Sequence, residues 1–179
     1  MAYSIHHHCH NFSAWAASRA ASVVGCRFRV EQGRVLLESI GLGPALEDPE
    51  KLPAPNLVDT IHRKWRQRII HHAKNLAIPM THGVAAKLIN VYLKSRFVCG
   101  GYSKDFRVQA LHPPIDGLLL ASLAKDNFGG LGQLWTAARK ARWSKFDSRT
   151  YEKVIAGIRS SMNGQPLWEI EQYWQGYQN

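Results

Sequence analysis

With 179 residues, 45% of them apolar, the chain can bury one sizeable core or two small helical lobes sharing a cleft, which excludes a disordered polypeptide. Lys and Arg number 23 against 13 acidic residues, and the net charge of +10 points to a polyanionic partner such as nucleic acid. No apolar run reaches the ~18 to 20 residues of a membrane span and no apolar leader core opens the chain, so a soluble cytoplasmic monomer is expected.

Apolar positions recur at intervals of three and four almost throughout, while alternation at period two is scarce, so the fold class is all-α. Asn11 is placed to cap a first helix carrying Phe12, Trp15, Arg19 and Val23, which Gly25 stops. A second helix runs from about Glu31 to Ile40, and Leu42 to Pro55, with Pro44, Pro49, Pro53 and Pro55, is a connection. From Asn56, a cap with Asp59 three residues on, the positions Leu57, Ile61, Trp65, Ile69 and Ala73 form an apolar stripe. Arg63, Lys64, Arg66, Arg68 and Lys74 occupy the remaining faces of that helix.

Pro79 breaks the helix, Gly83 permits a tight turn, and a new helix follows from Val84 to about Phe97. Cys99 to Ala110 reads as a basic, flexible insertion, after which Pro113 and Pro114 open a helix from Ile115 to Lys125. A turn at Gly129, Gly130 and Gly132 precedes a helix containing Trp135, and two last helices span Ser148 to Ser160 and Pro166 to Trp174. The expected organisation is a single domain over 1–179, with lobes formed by 1–55 plus 126–179 and by 56–125. Cys9, Cys26 and Cys99 are odd in number and lack metal spacing, so they read as reduced thiols.

The segment Thr81-His82-Gly83-Val84-Ala85-Ala86-Lys87, continued by Leu88-Ile89-Asn90-Val91-Tyr92-Leu93, resembles the hairpin and second helix of the helix-hairpin-helix DNA glycosylases. That family's hairpin reads Leu-Pro-Gly-Val-Gly-x-Lys, with His82 and Ala85 here standing at its Pro and second Gly. The family's later Pro-Val-Asp at a helix start is similar to His112-Pro113-Pro114-Ile115-Asp116, and the resemblance covers about residues 57–125. It implies a DNA N-glycosylase, with or without AP-lyase activity, that uses no cofactor and acts on double-stranded DNA containing a damaged or modified base. It also implies that Lys87 supplies the attacking amine and Asp116 the carboxylate that stabilises charge on the sugar. A fainter similarity links the chain to small glycosylases that excise modified bases from phage DNA.

Backbone N–H groups at a Gly-containing turn, here His82, Gly83 and Ala85, can hold a DNA phosphate. Spacings of three, four and seven place Lys87, Asn90 and Lys94 within one arc of the following helix as further DNA contacts. Arg142, Trp143 and Lys145 interleave cations with a stacking ring, as nucleic-acid surfaces do. Asp116 sits where a helix N-terminus favours its ionised form. Extruding a nucleotide requires a pocket to receive the base, for which Trp15, Arg19 and His112 are the candidates.

Two other readings stay open. A non-catalytic helix-hairpin-helix module would grip phosphates, with Lys87 and Asp116 facing no common cleft. A metal-dependent nuclease would use His6-His7-His8-Cys9-His10, since imidazole and thiolate are zinc ligands. Adjacent histidines on a mobile terminus with no matching second ligand group argue against that, and no metal site is expected.

Overall fold

The computed structural model describes residues 3–176. Eight α-helices are found among them: α1 (Ile5–Ala21), α2 (Val30–Glu38), α3 (Val58–Asn75), α4 (His82–Leu93), α5 (Phe106–Gln109), α6 (Gly117–Lys125), α7 (Gly132–Ala141) and α8 (Ser148–Met162). A π-helical stretch, Lys94–Tyr102, continues α4, and a 3₁₀ segment, Leu167–Tyr173, closes the described chain. No strand is formed among the described residues, so the all-α expectation holds.

Ser4 opens α1 by accepting a hydrogen bond from the His7 amide, so the helix begins before Asn11 and takes the histidine cluster into its first turns. Beyond His10, the buried face of α1 is made of small residues, Ser13, Ala14, Ala17, Ser18 and Ala21, which lets it lie close against α4 and α2. On α2 the partner of Ser18 is Gly33, where a Cβ would stand 2.1 Å from the serine oxygen. Only glycine allows that approach.

α3 is rotated about its axis relative to the expected stripe. Its buried residues are Val58, His62, Arg66, Ile69 and Ala73, while Trp65 is half-buried. Arg66, expected on a solvent face, is 1% exposed and lies 4.3 Å above the Tyr151 ring, with its guanidinium donating to Glu152 and Ser148. That pairing is what makes burial of the charge tolerable.

Six residues link α3 to α4. Thr81 then caps α4 through the Val84 amide and also donates its hydroxyl to the Ser144 carbonyl, docking the helix start onto residues 143–146. α4 is buried on nearly every face, and the core divides around it. One apolar cluster joins α1, α2, α3 and α4 as far as Leu111, and a second joins Ala86 and Ile115 to α6, α7 and α8. The two clusters meet at α4, whose Ala86 belongs to the second, and at Trp143, which packs against both.

The region 99–110, expected as a flexible insertion, consists of the end of the π-helical stretch, a turn at 103–105 and the short α5. Arg96 is buried and bonds the carbonyls of Leu46 and His6, Asp105 caps α5, and Arg107 donates to the Leu52 carbonyl. α6 starts two residues later than expected, with Asp116 as its cap, and α7, α8 and the last segment lie close to their expected places.

Candidate active site

Lys87 is the sixth residue of α4, and Asp116 is the N-cap of α6. Residues 112–116 form no helix or strand and are tied to α4 by the Asn90 amide on the Pro113 carbonyl, which brings the two side chains together. Lys87 Nζ donates to Asp116 Oδ2 at 3.1 Å, in a setting where the side chains are only 10% and 20% exposed. The two Asp116 oxygens are divided between tasks. Oδ1 accepts from the Leu119 amide and caps α6, while Oδ2 takes Lys87 and the Trp174 indole N–H at 3.0 Å. Lys87 Nζ also lies 4.5 Å from the centre of the Trp143 ring, a cation–π contact that fixes the ammonium from above.

Both residues line a cavity of about 290 Å³ that follows α4. Its walls include Val91, Pro114 and Trp174, with Ala16 and Ala20 of α1 opposite. Lys94 and Glu171 are ion-paired at its border. Burial pushes the Glu171 carboxyl above the usual range, and the Lys94 ammonium pulls against that shift.

Asn90 lies off this cavity, which corrects its expected role as a DNA contact. It is 1% exposed, donates to the Pro113 carbonyl at 2.8 Å and to Tyr151, and its carbonyl faces His62 Nε2. A 100° step per residue turns position 90 toward α3 and α8, while positions 87, 91 and 94 share the cavity side. His112 is likewise interior and not part of the cavity lining. Its ring meets Asp59 and Tyr151, and Asp59 is in turn held by Arg159. Burial holds His62 and His112 below the ordinary imidazole range, and their ring centres are 4.5 Å apart.

Of the amides expected to cradle a phosphate, those of Gly83 and Ala85 are engaged within the protein, as is that of Val84 between them. Gly83 N–H donates to the Phe146 carbonyl, Val84 N–H to the Thr81 hydroxyl and Ala85 N–H to the Thr81 carbonyl. Gly83 is also helical, not a turn: a Cβ there would sit 1.8 Å from the Trp143 carbonyl oxygen, so its role is to admit the 143–146 segment. His82 is half-buried beside it.

Trp15 and Arg19 are exposed on α1, and Ala16 and Ala20, one step further round the helix, line the cavity instead. Arg142 and Lys145 are exposed, and Trp143 between them is half-buried against both apolar clusters and turned onto Lys87. Within the N-terminal cluster, His10 is buried between Tyr92 and Glu38, and among the described residues no three His, Cys, Asp or Glu side chains converge as metal ligands.

Trp174 and Glu171 were not anticipated as site residues. The indole–Asp116 bond joins positions far apart in sequence, and no local spacing announces it. In comparisons with known proteins, no family model, no curated protein sequence and no solved structure matches the chain.

Proposed function

We propose that this protein is a DNA N-glycosylase that draws a damaged or modified nucleotide out of the duplex and cleaves its base, with Lys87 and Asp116 as catalytic residues. The observation that carries this reading is the Lys87–Asp116 contact at the wall of one cavity. A phosphate-gripping module has no need of a buried amine and carboxylate in a shared pocket. The net charge of +10, with Arg19, Arg142 and Lys145 exposed, supports a polyanionic partner.

In this mechanism the base enters the cavity and the sugar C1′ stands over Lys87 and Asp116. The N-glycosidic bond breaks, its electron pair leaves with the base, and the base takes up a proton. Asp116 opposes the positive charge that develops on the sugar, a role suited to a carboxylate already oriented by Leu119, Lys87 and Trp174. Lys87 passes a proton by way of Asp116 to the departing base, which leaves the carboxylate ionised, and its freed nitrogen bonds C1′. Opening of the sugar ring then yields an imine that permits β-elimination of the 3′ phosphate. Trp143 over the ammonium keeps the amine aimed into the pocket.

The test is incubation with duplexes that each carry one damaged or modified base, measuring free base, alkali-independent strand cleavage and borohydride-trapped adduct. Release from at least one duplex, lost on the order of 100-fold or more in Asp116→Asn, is expected. No release from any duplex, or release unaffected in a folded Asp116→Asn protein, rejects the assignment.

A further inference from the structure

While α1 turns small residues inward, its outer face keeps large ones. Phe12 is 58% exposed and Trp15 50%, with ring centres 5.9 Å apart, and Ile5 and Tyr3 are more exposed still. At 100° per residue His8, Phe12, Trp15 and Arg19 fall within about 60° of one another, a stripe about 16 Å long. Tyr3 extends it, with its hydroxyl 2.9 Å from His8 Nδ1 and its ring edge-on to the imidazole. No Asp or Glu precedes Glu31 in the chain, and Arg27 and Arg29, beyond the helix, are exposed. Ala16 and Ala20, the next positions round the helix, line the cavity, so the stripe flanks it.

We propose that this face of α1 binds a DNA strand with unpaired bases, which stack on Phe12 and Trp15 while Arg19 meets the phosphates. The inference goes beyond the glycosylase reading and does not rest on it. Rings left facing water gain from being covered by another flat ring, and every base has such a face whatever its identity. Bases in a duplex are covered above and below by their neighbours, so a strand must be unpaired to offer these faces. Charge selects the same occupant. A helix that lies in a lipid surface sorts a broad apolar face from its cations, whereas here His8 and Arg19 lie in the same narrow arc as the two rings. A second copy of the chain would bring a net charge of +10 against a face that holds no acid to receive it. Because α1 is packed along α4 and α2, the rings stand on a rigid support.

The experiment measures fluorescence anisotropy of a labelled single strand of mixed sequence, of the same strand in a perfect duplex, and of a duplex opened by an internal bubble. The single strand and the bubble are expected to bind about tenfold more tightly than the perfect duplex. Phe12→Leu and Trp15→Leu keep apolar bulk on an exposed face and remove the ring. Each should weaken binding of the single strand and the bubble about tenfold, as the loss of one stacked base does, with perfect-duplex affinity within a few-fold. Trp15→Phe should keep most of the affinity. Arg19→Gln should lower the log–log salt slope for the single strand by about 0.7, one phosphate's share. Equal affinity for paired and unpaired DNA, Leu variants that bind as the unaltered protein does, or a Trp15→Phe protein as weak as Trp15→Leu would overturn the proposal. So would sedimentation with anionic phospholipid vesicles that the Leu variants abolish while single strands stay unbound. Base release from a damaged duplex is read separately: release without a preference for unpaired DNA overturns this proposal alone, whereas that preference without release of any base overturns the glycosylase reading alone.

Discussion

Trp174 donates its indole N–H to the same carboxylate oxygen of Asp116 that receives the ammonium of Lys87. The 3₁₀ segment at the end of the described chain thereby reaches the helix start that carries the carboxylate. Three groups from three parts of the chain meet at one oxygen, and each constrains where the other two can sit.

Trp174→Phe keeps a ring in the pocket wall and removes the donor. A hydrogen bond to a charged acceptor is worth about 1.5–3 kcal/mol, and part of that is expected in the reaction barrier. Single-turnover base release should fall about tenfold, with DNA affinity within a few-fold. An unchanged rate would show that Asp116 is oriented without Trp174.

Lys87→Ala should abolish the borohydride-trapped adduct while leaving DNA affinity within a few-fold, because one charge near a phosphate is worth only about 1 kcal/mol at physiological salt. The loss also strips Asp116 and Trp143 of a shared cation, so circular dichroism should be recorded alongside. Trapping that persists would mean that another amine is the nucleophile.

Asn90→Ala should act on stability. Its removal leaves the Pro113 carbonyl, the Tyr151 hydroxyl and His62 short of a partner in the interior. About 2–4 kcal/mol of unfolding free energy should be lost, measured by urea titration. The dependence of DNA affinity on salt should match the unaltered protein, since Asn90 reaches no surface from which to touch a phosphate. A shallower salt slope would return Asn90 to the interface.

Acidification should unfold the protein through its buried histidines. His62 and His112 are held below 6.5 in the folded chain, by burial first, with His62 further disfavoured by His112 and Arg66, and with Asp59 opposing the shift at His112. The unfolded chain therefore binds more protons once pH drops beneath about 6.5. Their neutral burial contributes stability that is fully present above that pH and is lost as pH falls toward the folded values. Each such histidine adds at most about 1.4 kcal/mol per pH unit to the slope, and His10 and His82, also lowered by burial, act in the same direction. Urea midpoints measured from pH 7.5 to 5.5 should decline, and a flat profile would show that both rings charge freely in place.

The sequence by itself carried the helices and their order. Apolar spacing, prolines and cap residues act within a few positions, so α2, α4, α6, α7 and α8 could be read without knowing what lay across from them. Lys87 and Asp116 are singled out by the resemblance of their two motifs, in the same order, to those of one family, and not by either local setting alone.

Tertiary packing decided which face each helix turned inward and what each polar group met. Arg66 went inside because Glu152, Ser148 and Tyr151 of α8 could satisfy it, an offer invisible from α3 alone. Asn90 and His112 were drawn into one buried network for the same reason, and the amides near Gly83 were claimed by Thr81 and Phe146. Trp174 and Glu171 joined the cavity because the Asp116 carboxylate accepts the indole N–H and the mostly buried Glu171 carboxylate meets the ammonium of Lys94, partners that only the folded chain brings within reach. Local pattern encodes backbone conformation, whereas desolvation of a charge is resolved only by whatever distant group the fold sets beside it.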